Sequence, residues 1–286
     1  MSRPLRIQYP GAMYHITSRG NGGNKIFQDD SDHLIFLEEL KKVMEDYNWI
    51  SYAYCLMPNH YHLFIKTVDP NLSIGMRQLN GDYTQKYNIR HKQFGHIFQG
   101  RFKSILVEDA GYQGVLIRYI TLNPVKAKLV KSPMDWPWSS HKEIMGLKKE
   151  SGCVHVDETL SFFHDNKTLA KKEYNKYLFE KIDNKETWND LRSGLILGSL
   201  QFAREVVERY GNKESRENVK KERFAGRPTL EEIFKRKKEK VDRNFLIHES
   251  FKKYGYTQTE IGEYLNLHYS TVSRIVEKLS NNKNEK

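Results

Sequence analysis

Residues 12–19, A-M-Y-H-I-T-S-R, alternate apolar and polar positions and carry β-branched residues, which predicts a strand. G-N-G-G at 20–23 reads as a loop. From Asp30 an acidic start leads into Leu34, Leu37, Leu40 and Met44 at helical spacing. I-S-Y-A-Y-C-L-M at 50–57 predicts a second strand, Pro58-Asn59 a turn, and H-Y-H-L-F-I-K-T at 60–67 a third strand, so 50–67 reads as a β-hairpin. A helix is predicted over 73–90 and a fourth strand over 101–108. Asp109 is placed to cap a helix that runs to Asn123-Pro124, where the proline stops it.

The order β-α-β-β-α-β predicts an α+β fold of ferredoxin-like type: one antiparallel sheet, helices on one face, and the other face open to a ligand. The segment 131–150, with W-P-W-S-S, is expected to pack back onto this domain. The chain then divides into a sheet domain at 1–148, a helical connector at 149–210 and a basic segment at 211–286. An apolar helix is predicted near 194–207 within the connector, which otherwise carries no functional signal. Near the end, T-E-I-G-E-Y-L, a turn at N-L-H and Y-S-T-V-S-R-I-V-E-K-L have helix-turn-helix spacing. Ile261, Leu265, Leu267, Val272, Ile275 and Val276 would form its core, with Ser270, Thr271, Ser273 and Arg274 at the start of a DNA-reading helix. A plain helical hairpin has the same pattern.

Charge adds a partner class. The 286 residues carry a formal net charge of +11, with pI near 9.3, which points to a polyanion such as nucleic acid. Residues 211–286 hold 18 Lys and Arg against 12 Asp and Glu, a net of +6, and include F-K-R-K-K-E-K at 234–240. Cys55 and Cys153 lack metal-ligand spacing and are expected to be reduced and structural, as in a cytosolic protein. M-S-R-P-L-R-I-Q-Y-P has no apolar stretch of signal-peptide type, and no run approaches a membrane span.

The candidate chemistry starts at P-N-H-Y-H-L-F-I. On a strand, His60 and His62 point to one face and Tyr61 to the other. Two adjacent imidazoles suit a metal that keeps open positions for a phosphate oxygen. Tyr119 and Asn123, four apart, share a helix face and offer a phenol nucleophile and a hard oxygen ligand suited to Mg2+ or Mn2+. On residue pattern alone, surface histidines, an ordinary structural tyrosine and a simple helix stop fit equally. His15 reads as a structural histidine.

The set M-Y-H-I-T-S-R-G, P-N-H-Y-H-L-F-I, F-Q-G-R-F-K-S, Y-I-T-L-N-P-V-K-A and W-P-W-S-S, in this order over roughly residues 8–146, resembles the REP-associated tyrosine transposases. These belong to the single-tyrosine HUH superfamily (His, a hydrophobe, His), with Tyr61 here in the middle position. The resemblance implies a ferredoxin-like fold, Mg2+ or Mn2+ on His60 and His62, Asn123 as third ligand or phosphate positioner, and Tyr119 as nucleophile. It implies single-stranded or hairpin DNA as substrate, cut and rejoined through a 5′-phosphotyrosine. Arg101, Lys103 and Arg118 are candidates for phosphate contacts. The C-terminal segment resembles helix-turn-helix modules of bacterial replication initiators and sigma-type DNA binders, so duplex DNA is its expected partner. A cytoplasmic, nucleoid-associated bacterial protein follows, as monomer or homodimer. The competing readings are a non-catalytic DNA-binding regulator derived from a transposase, a phosphodiesterase that uses water, and an HUH replication initiator or relaxase.

Overall fold

The computed structural model describes residues 6–109, 111–180, 188, 190–210, 227–235 and 242–281. They fall into two compact units, one ending at Ser199 and the other beginning at Leu200. Of F-K-R-K-K-E-K, all but Phe234 and Lys235 lie outside the described residues.

In the first unit, β1 (Ala12–Arg19), α1 (Asp30–Tyr47), β2 (Trp49–Met57), β3 (His60–Thr67), α2 (Leu72–His91) and β4 (Lys103–Val107) follow the predicted βαββαβ order. The strands lie in the order β2-β3-β1-β4, all antiparallel. Arg19 faces His60, Thr17 faces His62 and Lys103, and His15 faces Phe64 and Ile105. Directly opposed residues share a face. One side of the sheet therefore carries His15, Thr17, Arg19, His60, His62, Phe64, Lys103 and Ile105.

The other side carries Tyr61, which is fully buried, lies 4.7 Å from Phe36 of α1 ring to ring, and donates to Asn80 Oδ1 of α2 at 2.6 Å. The face that α1 buries differs from the predicted one: Phe36, Leu37, Leu40, Val43 and Met44 point inward, while Leu34 is exposed. Truncating a buried ring such as Phe36 costs about 3–5 kcal/mol. Asp29 caps α1 through the Asp32 amide. Asp32 itself is buried, and Arg90 and His91 at the end of α2 reach it at 2.6 and 2.9 Å. Gly75 lets α2 close onto Trp49, because a Cβ there would lie 2.3 Å from the indole.

The histidine side is not left open along its whole length. It carries α3 (Tyr112–Thr121), followed by the short α4 (Asn123–Lys126) and α5 (His141–Ile144), then α6 (Val156–Ser161) and α7 (Lys167–Phe179). Tyr52 joins Phe64 to Phe162 after α6, at 5.1 and 4.9 Å. Gly111, at φ 87°, precedes α3 where Asp109 was predicted to cap. Asp109 instead receives the Gln113 side-chain amide.

Both sheet edges are covered. Segment 136–140 runs along β2, with Leu56 N donating to Trp138 O at 2.8 Å and Tyr54 N to Ser140 Oγ at 3.1 Å. Along β4 lies a hairpin of β5 (Leu191–Arg192) and β6 (Ile196–Leu197), β6 running parallel to β4. The stretch expected to be a purely helical connector thus extends the sheet to six strands. The apolar residues at 196–197 that suggested a longer helix are strand, and the helix α8 begins at Leu200. Cys55 and Cys153 are buried free thiols. Among the described residues, no helix is long and apolar enough to cross a membrane.

In the second unit, α8 (Leu200–Tyr210) is followed by α9 (Leu230–Lys235), α10 (Arg243–Lys252), α11 (Gln258–Leu265) and α12 (Tyr269–Asn281). Ile261, Val272 and Val276 are buried together with Ile233, Phe234, Leu246 and Ile247, and Leu265, Leu267 and Ile275 pack around them. Thr257 and Glu260 form a capping box at the start of α11. Asn266, at φ 54°, ends it, and Leu267 N donates to Gly262 O at 2.8 Å.

Two outcomes follow. His141 is fully buried, its Nδ1 2.8 Å from Tyr174 Oη, and burial first and Lys142 second hold its pKa down to about 4. The unfolded chain takes up that proton near 6.5. Stability is therefore fully present above about pH 6.5 and falls by up to about 1.4 kcal/mol per pH unit toward pH 4. Thermal unfolding at pH 7 and pH 5 should show this, and His141→Gln should reduce the difference by the share of this one histidine, since His15, His60 and His62 titrate in the same sense. Gly262→Ala would place a Cβ 2.6 Å from Leu267 O. It should loosen the C-terminal unit by about 1–3 kcal/mol, read as faster amide exchange in α11 and α12.

Candidate active site

The strand register brings two histidines to one cleft, and α3 supplies a tyrosine to it. A cavity of about 790 Å³ is lined by His15, His60, His62, Tyr119, Arg101 and Lys103, among others. His60 and His62 lie 5.0 Å apart between ring centroids, and His62 and Tyr119 5.7 Å apart.

Each histidine of the pair has one nitrogen engaged. His60 Nδ1 lies 2.7 Å from Asn59 Oδ1, so that nitrogen carries the proton and donates. His62 Nδ1 lies 2.9 Å from His15 Nε2. Nε2 remains on each ring. Burial depresses all three imidazoles: His15 to about 3, His62 well below the usual range with help from His15 and His60, and His60 with help from Arg19. They are neutral at physiological pH, which is the form that ligates a metal. Among the described residues, no cluster of three or more His, Cys, Asp or Glu is disposed to hold a metal ion. Two imidazoles supply two ligands, and other oxygen donors would have to complete the shell of a cation held there.

Two further groups close on the phenol. Trp188 meets the Tyr119 ring edge-on at 4.9 Å and His15 at 5.7 Å. Lys126 Nζ lies 4.7 Å from the Tyr119 centroid. Trp188 is delivered by the connector, which is moored where Tyr112 Oη donates to Asp190 Oδ2 at 2.8 Å and Ser199 Oγ donates to Glu108 Oε1 at 2.9 Å.

The family described as "Transposase IS200 like" matches residues 8–123, which span the sheet strands β1–β4 and Tyr119. A Haemophilus influenzae protein named "Putative REP-associated tyrosine transposase" is 30% identical over 121 residues, 38% of this chain and 69% of the relative. This chain belongs to the REP-associated tyrosine transposases. A solved structure of a REP-associated tyrosine transposase bound to a REP hairpin has a TM-score of 0.45 and 23% identity, covering 52% of this chain and 88% of that one.

The other residues expected from the transposase's sequence are placed as follows. Arg101 and Lys103 line the cleft, joined by Arg19 and Gln99. Arg118 does not line it: its Nε donates to Leu178 O at 3.0 Å and its Nη2 to Glu180 O, so it holds the end of α7. One helical position on from Arg118 lies about 100° around the axis, which is why Tyr119 and Arg118 face different ways. Asn123 begins α4, half-buried, and is not among the residues lining the cleft. In the C-terminal unit, Thr271 and Arg274 are exposed, and Ser270 and Ser273 are half-buried. Ser270 Oγ lies 2.8 Å from His268 Nδ1, within hydrogen-bond distance.

Sequence reasoning did not find Trp188, Lys126 or the contact of His15 with His62. The register of β1 on β3 could have shown the last, since His15 stands two residues from the partner of His62.

Trp188→Ala should open the phenol to solvent. Treatment of the DNA-free transposase with N-acetylimidazole, mapped by mass spectrometry, should then label Tyr119 severalfold more. Unchanged labelling would mean that the indole does not cover it.

Proposed function

We propose that this transposase is a single-strand DNA endonuclease and strand transferase in which Tyr119 is the nucleophile. The observation that supports it is the meeting of His60, His62 and Tyr119, from β3 and α3, within ring distances of 5.0 and 5.7 Å in one cleft with a cationic rim. Family membership favours the same chemistry.

On this reading, a strand enters with its phosphates against Arg19, Arg101 and Lys103. Tyr119 Oη attacks phosphorus in line. A P–O bond to the tyrosine forms as the bond to the 3′ oxygen breaks, leaving a 5′-phosphotyrosine and a free 3′-OH. The phenolic proton must leave as the leaving 3′ oxygen gains one, and Lys126 Nζ stands beside the ring, 4.7 Å from its centroid. A second 3′-OH reverses the attack, so no external energy source is needed. His60 and His62 would hold Mg2+ or Mn2+, with Asn123 a further ligand or phosphate positioner. When bound, the cation offsets charge on the scissile phosphate. Asn59 and His15 orient the two rings. The substrate is proposed to be a hairpin-bearing single strand. The α11–turn–α12 segment would read duplex DNA as a helix-turn-helix, with Thr271 and Arg274 toward the major groove.

The test mixes the protein with end-labelled single-stranded hairpin DNA from around its own gene and Mg2+ or Mn2+. A covalent adduct on denaturing gels is expected, lost by about 10³-fold or more in Tyr119→Phe. In His60→Ala, cleavage should fall while DNA binding persists. Cleavage without an adduct would make water the nucleophile. Binding with neither product would leave a DNA-binding regulator.

A further inference from the structure

We propose that His15 is a positioning residue that seats the proton of His62 and so decides whether His62 can ligate a metal. The inference rests on the metal reading of the His60 and His62 pair. Three observations carry it. His15 Nε2 and His62 Nδ1 are 2.9 Å apart in a buried contact. The two rings lie within 6° of parallel, with centroids 5.2 Å apart. His15 Nδ1 is buried and has no hydrogen-bond partner among the described residues.

A neutral imidazole carries one proton, so the contact has two arrangements. In the first, His15 Nε2–H donates to His62 Nδ1. The proton of His62 then sits on Nε2 and blocks the nitrogen that would ligate. His15 is left with a bare lone pair at Nδ1. In the second, His62 Nδ1–H donates to His15 Nε2. Nε2 of His62 is then free to ligate, but the proton of His15 moves to Nδ1, a buried donor without a partner.

Either way Nδ1 of His15 stays buried without a partner among the described residues, as an acceptor in the first arrangement and as a donor in the second. The rings facing His15 are Trp188 at 5.7 Å and Tyr119 at 5.8 Å. A cation on Nε2 of His62 is compatible with the second arrangement alone, so cation binding selects it through the contact with His15. His60 has no such choice, because Asn59 Oδ1 can only accept. The two histidines of the motif thus differ: one is set by a side-chain carbonyl, the other is switched through β1.

The decisive experiment measures Mn2+ affinity by electron paramagnetic resonance of the free ion, on the full chain without DNA. His15→Phe should weaken binding about 10–100-fold, as outer-shell partners typically do. His15→Gln, whose carbonyl can accept from His62 Nδ1–H, should recover most of it. Histidine-selective 15N correlation spectra of the wild type should show the His62 proton on Nδ1 with Mg2+. Equal affinity in wild type and His15→Phe would overturn the proposal. So would His15→Gln binding as weakly as His15→Phe, or a His62 proton that stays on Nε2 at saturating Mg2+. If the wild type binds no Mn2+ beyond what His62→Ala binds, the metal reading falls and this one with it. Binding lost in His62→Ala but untouched in His15→Phe sinks the positioning role alone. The spectra and His15→Gln decide the matter even if His15→Phe fails to fold.

Discussion

The pairing of β1 with β3 is the constraint on which the site depends. Thr17 opposes His62 and Arg19 opposes His60. Side chains on a strand alternate with period two, so a slip of one residue would turn the histidines into the α1 and α2 core and push Tyr61 out. Because β1 also pairs with β4, the same register delivers Lys103 and Ile105 to the cleft. A single ladder therefore places the proposed ligands, their buried partner His15 and part of the cationic rim.

That register is held from the far side of the sheet. Tyr61 is locked by Phe36 and by its bond to Asn80, and Tyr83 packs against Phe27 and Phe36 at 5.6 and 5.2 Å. Moving these rings into water would cost several times what a pair of neutral histidines gains by packing. The polar, orphan-bearing floor of the cleft is stable because the apolar layer beneath leaves no other register. Sequence shows both halves in one octet: the hydrophobe between the two histidines anchors the strand that presents them.

The fold was legible where its signals were local and periodic. The strands of 50–57 and 60–67 and the helix from Asp30 appear nearly as read, because alternation, turn residues and acidic caps are properties of neighbours. The two helices around the turn at 266–268 were legible for the same reason. β5 and β6 were not, since two residues each carry no period and form only against the edge of β4. Of the candidate site, residue type, spacing and the family resemblance nominated His60, His62, Tyr119, Arg101 and Lys103, and the fold brings all five to one cleft. Arg118 was nominated with them for phosphate contacts, and the fold turns it to the carbonyls of Leu178 and Glu180. Trp188 and Lys126 reach Tyr119 from outside the motif, through folding of the connector and the turn after α3, and no spacing rule reports that.

A cleft that is to hold both a cation and a polyanion faces an electrostatic conflict. Protonated histidines would repel the metal, while a wholly neutral pocket would not draw in DNA. Here the two demands are separated by depth. His15 and His62, at the floor, are kept neutral by burial, and His60 is pressed the same way by its Arg19 neighbour. Arg19, Arg101 and Lys103 line the same cleft and give it a cationic rim. The arginine that helps keep His60 neutral is thus also a candidate to greet the strand. A phosphate arriving at Arg19 would lessen that pressure on His60. The proposed metal and the proposed substrate would then meet in a site whose charges were arranged for each before the other arrived.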